Sequence, residues 1–431
     1  MLFAIGIVLF AIGILISIAL HEVGHMVPAK KFGVKVTQYM VGFGPTAWST
    51  RRGETQYGVK WIPLGGYIRM IGMFPPGKDG TPRSGLTGMQ ALIADARHQS
   101  AAEVGPGDED RVFWKLSVPK RVVIMLGGPT MNLLIAAVLF TITLTAFGTP
   151  EPTTSVGRVS PCIVEVTPDQ TTTPECTAAD EATPAAAAGL QEGDTIVAYA
   201  GHEPASWEEL QGWIRSAPGQ AVTLTVLRDG ETLDVPVTLA QVDRPPVDDP
   251  DGEQTPVGFL GMTPTFALDQ AAITEVPGFM WDFAIRSGQA IVSIPSRMAG
   301  VWDAAFSGAE RDPEGPIGVV GVSRIGGEIA AYDEVPLKWK VADFLNLLAS
   351  LNMALFLFNL LPLLPLDGGH IAGALYEGGR RQVARIRGRP DPGPVDVARM
   401  LPVAYSVAVL LIGMSALLLY ADVVNPIRIG G

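Results

Sequence analysis

The sequence predicts a polytopic α-helical membrane protein with four transmembrane helices and one α+β domain outside the membrane. The 431 residues are 48% hydrophobic and only 17% charged, whereas an average soluble protein has about 25% charged residues. Four long apolar stretches contain no Asp, Glu, Lys or Arg, and 29 of the 43 acidic residues lie in residues 149–340, between two of them. The net charge of −12 disfavours a nucleic-acid-binding protein, which needs a basic face.

Each uncharged stretch has about the 20 residues that a helix needs to cross the bilayer core. Core helices of soluble proteins rarely run so long without a charge, so that alternative is disfavoured. The first stretch lacks the basic start and the small-residue cleavage site of a signal peptide, and we predict a retained helix. The stretches are residues 1–20, 122–148, 344–366 and 400–421.

The distribution of basic residues predicts the orientation, because Lys and Arg are enriched in cytoplasmic loops. Residues 26–121 contain 14 Lys and Arg against 7 Asp and Glu, and residues 371–399 contain 6 against 3. Residues 149–340 contain 10 against 29. We therefore expect a multi-pass protein in which the acidic connection and both termini lie outside the cytoplasm.

These observations divide the chain into eight segments. The transmembrane helices are predicted at 1–28, 121–148, 341–370 and 400–422, the first with a His-Glu motif and the third with an Asp-Gly motif. The other segments are a cytoplasmic and membrane-associated region with a β-hairpin (29–120), the outside α+β domain (149–262), an outside amphipathic helix and linker (263–340), and a basic cytoplasmic loop (371–399).

The outside connection has an organisation of its own. Residues 151–184 are rich in Thr, Pro and acidic residues and are predicted as loop. Ser206 is a predicted N-cap, with Glu209 completing a capping box at the start of a helix. Residues 221–230 and 231–240 predict two strands joined by an Asp-Gly turn.

The two cysteines of the chain, Cys162 and Cys176, both lie in this connection. An oxidising compartment outside the cytoplasm favours a disulfide between them. Two free thiols remain the alternative. The pair is too small for a cysteine-rich metal site.

The order of these elements, with Ala-Gly-Leu at 188–190 and Gly-Asp-Thr-Ile at 193–196, resembles a PDZ domain of bacterial membrane and periplasmic proteases. The resemblance covers about 155–261, with 257–261 as a closing strand, and the segment with the cysteines is an insertion. PDZ domains bind extended peptides by adding a strand to a sheet edge. The resemblance therefore implies a peptide-binding domain outside the cytoplasm.

The strongest chemical signal is His21-Glu22-Val23-Gly24-His25, directly after the first apolar stretch. Residues i and i+4 share one face of a helix. His21 and His25 can therefore bind one Zn²⁺, with Glu22 placed to take a proton from water at the metal. Ionisable groups at membrane depth are costly and usually functional, which disfavours the alternative of a polar helix end at the membrane surface.

A catalytic zinc site needs a third protein ligand, and residues 26–41 offer no glutamate. Asp367 is the first charge after the third apolar stretch, where two prolines and a Gly-Gly pair interrupt the helix. Irregular backbone at this depth is tolerated where it is buried in protein or lines a polar cavity. The predicted topology puts Asp367 and His21 in the same half of the membrane, so Asp367 is the candidate third ligand. A loop acid that ends a helix is the alternative.

HExxH in the first span and Asn-x-x-Pro-x-x-Pro-x-Asp-Gly at 359–368 together resemble the site-2 protease family of intramembrane zinc metalloproteases. The domain inserted between spans two and three is similar to the bacterial RseP-like branch. Gly-Phe-Gly-Pro at 42–45, Pro-Leu-Gly-Gly-Tyr at 63–67 and Gly-Pro-Thr-Met-Asn at 128–132 also fit. The Ala-, Gly- and Pro-rich composition is typical of a GC-rich bacterium, such as an actinobacterium.

The resemblance implies roles for particular residues. His21, His25 and Asp367 would bind one zinc ion per chain, and Glu22 would be the general base. Residues 38–73 resemble the family's membrane-associated β-hairpin, which presents substrate as a strand. Substrate-binding residues are then Asn359 and the hairpin residues Gly65, Gly66 and Tyr67.

The resemblance further implies a multi-pass protein of the bacterial plasma membrane that hydrolyses peptide bonds in transmembrane segments. Its partners would be the lipid bilayer and single-span regulatory proteins such as anti-sigma factors, already shortened by a first cut, or remnant signal peptides. No nucleic-acid partner is expected. Two other readings are a non-catalytic membrane scaffold, against which the intact His21, Glu22, His25 and Asp367 argue, and a zinc transporter, which needs more polar residues in its spans.

Overall fold

The computed structural model describes residues 2–76, 88–163, 176–177, 180–247, 253–309, 311–312, 315–331 and 336–427. Its helices and strands are, in chain order, α1 (Leu2–Lys31), β1 (Val36–Arg52), β2 (Thr55–Met70), α2 (Met89–Ala102), α3 (Val118–Ile142), β3 (Thr149–Val159), α4 (Pro184–Ala187), β4 (Thr195–Tyr199), α5 (Trp207–Arg215), β5 (Ala221–Arg228), β6 (Glu231–Thr238), β7 (Ala240–Arg244), β8 (Thr255–Phe259), β9 (Met262–Asp269), α6 (Val276–Phe306), α7 (Val319–Ala331), α8 (Leu337–Asn359), α9 (Asp367–Ile386) and α10 (Leu401–Val424). They form two compact units, which we call the helical unit (Met1–Ala146 with Ala272–Gly430) and the sheet unit (Phe147–Ala271).

Four helices among the described residues are long and apolar enough to cross a membrane. They are α1, α3 with its continuation to Phe147, α8, and α10 with the turn before it, and each overlaps one of the four uncharged stretches. The third differs from the predicted span of 341–370, because α8 ends at Asn359 and α9 begins at Asp367. The prolines at 362 and 365 explain the break, since proline cannot continue a helical hydrogen-bond ladder.

Close backbone packing joins α1 to α3 beside the His-Glu motif. A Cβ atom on Gly24 would lie 2.2 Å from the carbonyl oxygen of Gly127, and one on Gly127 would lie 2.0 Å from that of Gly24. Small residues allow this approach, which is the usual basis of helix association within a bilayer. The two helices are therefore held in a fixed relation at the depth of His21 and His25.

A buried ion pair holds α9 against α3. Arg121 at the start of α3 donates to Glu377 of α9, and the Glu377 side chain is 1% exposed. Arg381 contacts the same carboxylate at 3.0 Å, and the Val395 amide donates to it over 2.9 Å. A buried carboxylate requires such partners, so Glu377 ties together two helices and the loop that follows α9.

The β1–β2 sheet is more elaborate than the single hairpin that the sequence predicts. Both strands bend, so that residues 38–41 of β1 lie between residues 56–59 and 66–69 of β2. Within the described part of the chain, residues 66–69 have a strand partner on one side only, which is residues 38–41. The sheet is anchored to α1, because the Tyr39 hydroxyl donates to the Ala19 carbonyl over 2.8 Å.

The sheet unit contains a five-stranded sheet of order β6-β5-β4-β3-β9 and a separate β7–β8 pair. Alternating strand residues and the inner face of α5 form its core, which includes Ile196, Leu210 and Leu224 at 0% exposure. The predicted N-cap is present, since the Glu209 amide donates to Ser206 Oγ, but the bond back to Glu209 Oε2 comes from the amide of Ala205, one residue before the N-cap. Cys162 and Cys176 form a disulfide.

Long-range pairing accounts for most differences from the sequence-based expectations. Residues 149–159, predicted in part as loop, form β3 because they pair with β9. For the same reason the domain predicted to end at residue 262 continues to Ala271. The segment 263–340, predicted as one helix with a linker, contains β9 and both α6 and α7. Residues 164–175 and 178–179 of the predicted insertion lie outside the described residues.

Asp194, in the Gly-Asp-Thr-Ile motif, makes the sheet unit sensitive to acid. Its side chain is 1% exposed and receives two hydrogen bonds from Arg228, of 2.6 and 2.7 Å, and one from the Gln191 amide. The Arg228 hydrogen bonds hold the pKa of Asp194 below its usual range. A depressed carboxyl pKa contributes stability above the unfolded-state pKa of about 3.9, and this stability is lost as pH falls below that value.

We therefore expect amides of β4 and β5 to exchange hydrogen faster as pH falls below about 4, after correction for the intrinsic exchange rate. Asp194→Asn should increase exchange at neutral pH and weaken this acid dependence. Asp243→Asn, at an exposed position in β7, is the matched control and should behave as wild type. Equal acid dependence in wild type and Asp194→Asn would contradict the assignment.

Candidate metal centre and active site

The His-Glu motif lies within the continuous helix α1. His21 and His25 are one turn apart, their rings meet edge to face with centroids 4.8 Å apart, and their Nε2 atoms are 3.2 Å apart. Both side chains are largely buried, with exposures of 14% and 6%. The helix thus directs two imidazole nitrogens to one point.

Asp367 joins this pair from 342 positions further along the chain. Its Oδ2 atom lies 3.3 Å from Nε2 of His21 and 3.3 Å from Nε2 of His25. In tetrahedral coordination with zinc–ligand bonds of about 2.0–2.1 Å, ligand atoms lie about 3.3 Å apart. The donor set, two neutral imidazoles and a carboxylate, also suits zinc. In the described part of the chain, this is the one group of three such side chains whose ligand atoms converge.

A backbone contact sets the protonation of His25. Its Nδ1 atom lies 2.8 Å from the Ile124 carbonyl oxygen of α3. A carbonyl accepts hydrogen bonds, so Nδ1 carries the proton and donates, which leaves the lone pair of Nε2 free for a metal. Metal-binding histidines commonly have such a partner on the second ring nitrogen.

Gly128 of α3 leaves room for the two imidazoles. A Cβ atom there would lie 2.2 Å from His25 Nε2 and 2.7 Å from His21 Nε2. A side chain of any size would therefore displace the rings or occupy the point at which the three ligand atoms converge. The Gly-Gly-Pro sequence at 127–129 brings α3 close without filling the site.

Gly128→Ala should lower catalytic activity on the order of 10²-fold, because displacement of catalytic groups by about 1 Å has that effect. It should also lower the zinc content of the purified chain. Gly413→Ala in α10, where no atom lies within 4 Å of the added Cβ, is the matched control. Wild-type activity and zinc content in Gly128→Ala would show that the site tolerates a methyl group here.

Glu22 lies against the β1–β2 sheet. It is 9% exposed, and a Cβ atom on Gly66 of β2 would lie 3.1 Å from Glu22 Cγ and 3.0 Å from Ile18 Cγ2. Glycine is the residue that permits this approach. Residues 66–69 of β2, which have a strand partner on one side only among the described residues, therefore pass directly beside the Glu22 side chain.

The other predicted substrate-binding residues lie in β2, beside Gly66, and at the end of α8. Gly65 has φ of +103° and lies next to Gly66, and the Tyr67 ring stacks on Phe43 with centroids 6.2 Å apart. The Tyr67 hydroxyl donates to Gln38 Oε1 over 3.3 Å. Asn359 is the last residue of α8 and is half-buried at the start of the loop that leads to Asp367.

The loop of residues 360–366 folds tightly onto the start of α9. A Cβ atom on Gly368 would lie 2.2 Å from the Leu361 carbonyl oxygen, and one on Gly369 would lie 2.6 Å from the Leu364 amide nitrogen. The Gly-Gly pair after Asp367 therefore permits the turn that brings its carboxylate back to α1.

Comparison with known proteins identifies the family. The model of peptidase family M50 matches residues 9–389. The chain belongs to peptidase family M50. The zinc metalloprotease Rip1 of Mycobacterium tuberculosis is 37% identical over 439 residues, which cover 100% of both chains. Rip1 of Mycolicibacterium smegmatis is 37% identical over 443 residues with the same coverage, and zinc metalloprotease RasP of Shouchella clausii is 26% identical over 430 residues, 87% of this chain and 89% of the relative.

As an M50 member the chain is a metalloprotease.

The structure also contains contacts that position the site and that the sequence analysis did not identify. Asn352 of α8 is 0% exposed and donates to Ser17 of α1 over 3.0 Å, one turn before His21. A signal for this contact was present in the sequence, because Ser17 and Asn352 are polar side chains within two of the apolar stretches. Such side chains often mark a contact between spans. Gly128 had a signal only as part of a family motif.

Proposed function

We propose that this M50 protease is an intramembrane zinc metalloprotease that hydrolyses peptide bonds in the transmembrane segments of single-span regulatory proteins. The observation that carries the proposal is the convergence of Asp367, at the start of α9, on His21 and His25 of α1, a helix apolar enough to span a bilayer. A polar, ionisable site in an apolar helix suits a reaction on a membrane-embedded substrate. The names of the relatives, zinc metalloproteases, support the choice of metal.

In the proposed mechanism His21, His25 and Asp367 hold one zinc ion per chain. The chemistry that zinc would supply there is Lewis-acid polarisation of the scissile carbonyl and a lower pKa of water near the site. Glu22 takes the proton of the attacking water and delivers it to the leaving amine. The Ile124 carbonyl keeps His25 in the tautomer that binds metal, and Gly128 keeps the space beside both rings open.

The substrate must be unwound, because a helix holds its carbonyl groups in hydrogen bonds. On the edge that has no strand partner in the part of the chain that the structure describes, residues 66–69 offer strand hydrogen-bonding groups, and Gly66 lies against Glu22. An extended segment that adds to this edge would lie beside the general base, which is the β-augmentation mode of peptide binding. Gly65, Gly66, Tyr67 and Asn359 are the proposed substrate-binding residues.

The remaining features are proposed from the charge distribution and the sheet unit. The protein lies in the bacterial plasma membrane as a multi-pass chain with both termini outside the cytoplasm. The sheet unit acts outside as a PDZ domain that admits substrates shortened by a first protease. Its edge strand β9 and the helix α5 support this role. Anti-sigma factors and remnant signal peptides are the proposed substrate classes.

The proposal is tested with the full chain reconstituted in liposomes and a single-span substrate, either intact or with its outside domain removed. We expect cleavage within the span of the shortened substrate, detected by mass spectrometry, and little cleavage of the intact one. Chelation of zinc should stop cleavage and added zinc should restore it. Cleavage that persists after chelation would contradict the metal mechanism, and no cleavage of either substrate would contradict the proposed substrate class.

A further inference from the structure

A cleft lies between the second half of α9 and the loop that follows it. Its volume is about 450 Å³, and its lining includes Tyr376, Arg380, Val383, Arg387, Arg389 and Pro392. It is formed by α9 from Tyr376 onward and by the loop after it, whereas Asp367 is the first residue of that helix. The cleft therefore has no assigned role in the proposed reaction.

The walls of the cleft are held in place by specific contacts. The Arg389 amide donates to the Ala384 carbonyl over 2.9 Å, and Arg380 Nη2 donates to the Pro392 carbonyl over 3.4 Å. Further along, the Val395 amide donates to the buried carboxylate of Glu377, which Arg121 of α3 also binds. The loop is thus folded back on α9 and tied to a helix that is long enough to span the membrane.

The cleft carries positive charge without a matching carboxylate. Arg387 and Arg389 are exposed and have no acidic partner in the ranges that the structure describes. Two acids of α9 and the following loop are engaged elsewhere, because Glu377 binds Arg121 and Arg381, and Asp391 contacts Arg381. Guanidinium groups form paired hydrogen bonds with phosphate oxygens, so this charge favours a phosphate-bearing ligand.

An apolar strip accompanies the arginines along α9. Tyr376 is 64% exposed and Val383 is 46% exposed, and both line the cleft. They are seven residues apart, which is two helical turns, so they share one face of the helix. A ligand that binds both the arginines and the apolar strip of the cleft has a phosphate group and an apolar tail.

The position of α9 brings the cleft close to the bilayer. The helix follows α8 after seven residues and precedes α10 by fourteen, and both neighbours are candidate spans. A linker of seven residues reaches at most about 25 Å. The proposed topology places α9 on the cytoplasmic side, where the leaflet carries negative surface potential.

We propose that this cleft binds the headgroup of an anionic phospholipid of the cytoplasmic leaflet. Arg387 and Arg389, with Arg380, hold the phosphate, and an acyl chain lies along Tyr376 and Val383. The lipid site rests on the arginines, the apolar strip, the nearness of the spans and the orientation proposed above, and it is independent of the catalytic assignment.

The test uses the full chain in neutral detergent, with phosphatidylglycerol or phosphatidylcholine added and bound lipid measured by native mass spectrometry. We expect phosphatidylglycerol to bind at least about tenfold more tightly than phosphatidylcholine. Each cationic group near an anionic lipid contributes about fivefold to binding, so Arg387→Gln/Arg389→Gln should weaken phosphatidylglycerol binding about 25-fold. Tyr376→Ser should weaken it with all charges retained.

Arg51→Gln/Arg52→Gln is the matched control, since both residues are exposed at the turn of the β1–β2 sheet and the net charge changes equally. The control should bind phosphatidylglycerol as wild type does. Equal losses in both double variants would overturn the proposal in favour of diffuse attraction. Displacement of the lipid by inorganic phosphate at equal concentration would also overturn it, because a free phosphate would then be the occupant. Unchanged thermal unfolding confirms that the variants are folded.

Discussion

Glu22→Gln lowers cleavage of a shortened single-span substrate by a factor on the order of 10²–10⁴, the usual contribution of a general acid–base group. The amide keeps the size of the side chain beside Gly66, but it cannot accept the proton of the attacking water. Cleavage by the reconstituted full chain is measured as product formation over time. Zinc content, measured by atomic emission, should remain that of wild type, because Glu22 is not one of the three converging residues.

Glu192→Gln is the control for this experiment, since Glu192 is exposed in the sheet unit and the charge change is the same. It should cleave the substrate at the wild-type rate. Unchanged cleavage by Glu22→Gln would exclude Glu22 as the general base. Loss of zinc together with activity would instead assign Glu22 a role in the metal site.

Asp367→Ala should remove most of the bound zinc and, with it, the activity. Catalytic zinc sites commonly have three protein ligands, and Asp367 Oδ2 is the partner that lies 3.3 Å from both imidazoles. The expected zinc content falls from about one per chain to a small fraction after dialysis. Metal analysis of the purified chain in detergent provides the measurement, with cleavage as a second readout.

Asp110→Ala is the matched control, because the Asp110 side chain is 96% exposed and lies outside the site. It should retain zinc and activity. Full zinc retention in Asp367→Ala would remove Asp367 from the ligand set and leave a site built on the two histidines.

The four apolar helices and the His-Glu motif were predictable because their signals are local. A helix that crosses a bilayer needs about 20 consecutive apolar residues, and residues 1–20 and 400–421 show this directly. The spacing of His21 and His25 places both imidazoles on one face of any helix. Ser206 and Glu209 likewise predict a helix start from four residues, and the structure has it.

The elements that depend on distant partners were not predictable to the same extent. Residues 149–159 have a composition typical of loop, yet they form β3 through pairing with β9, which is more than 100 residues away. The bending of β1 and β2, which places residues 38–41 between two parts of β2, also depends on tertiary contacts. Strand propensity reports packing against neighbours more than an intrinsic backbone preference.

The sequence by itself therefore determined the membrane class, the four apolar helices and the chemical types of the candidate ligands. Tertiary structure decided that Asp367 meets His21 and His25, that Gly66 lies against Glu22, and that arginines and apolar residues of α9 share one cleft. The physical reason is the range of the interactions involved. Hydropathy and helical periodicity are read from segments of about one to five helical turns. Three ligand atoms about 3.3 Å apart instead require that helices from both ends of the chain pack together.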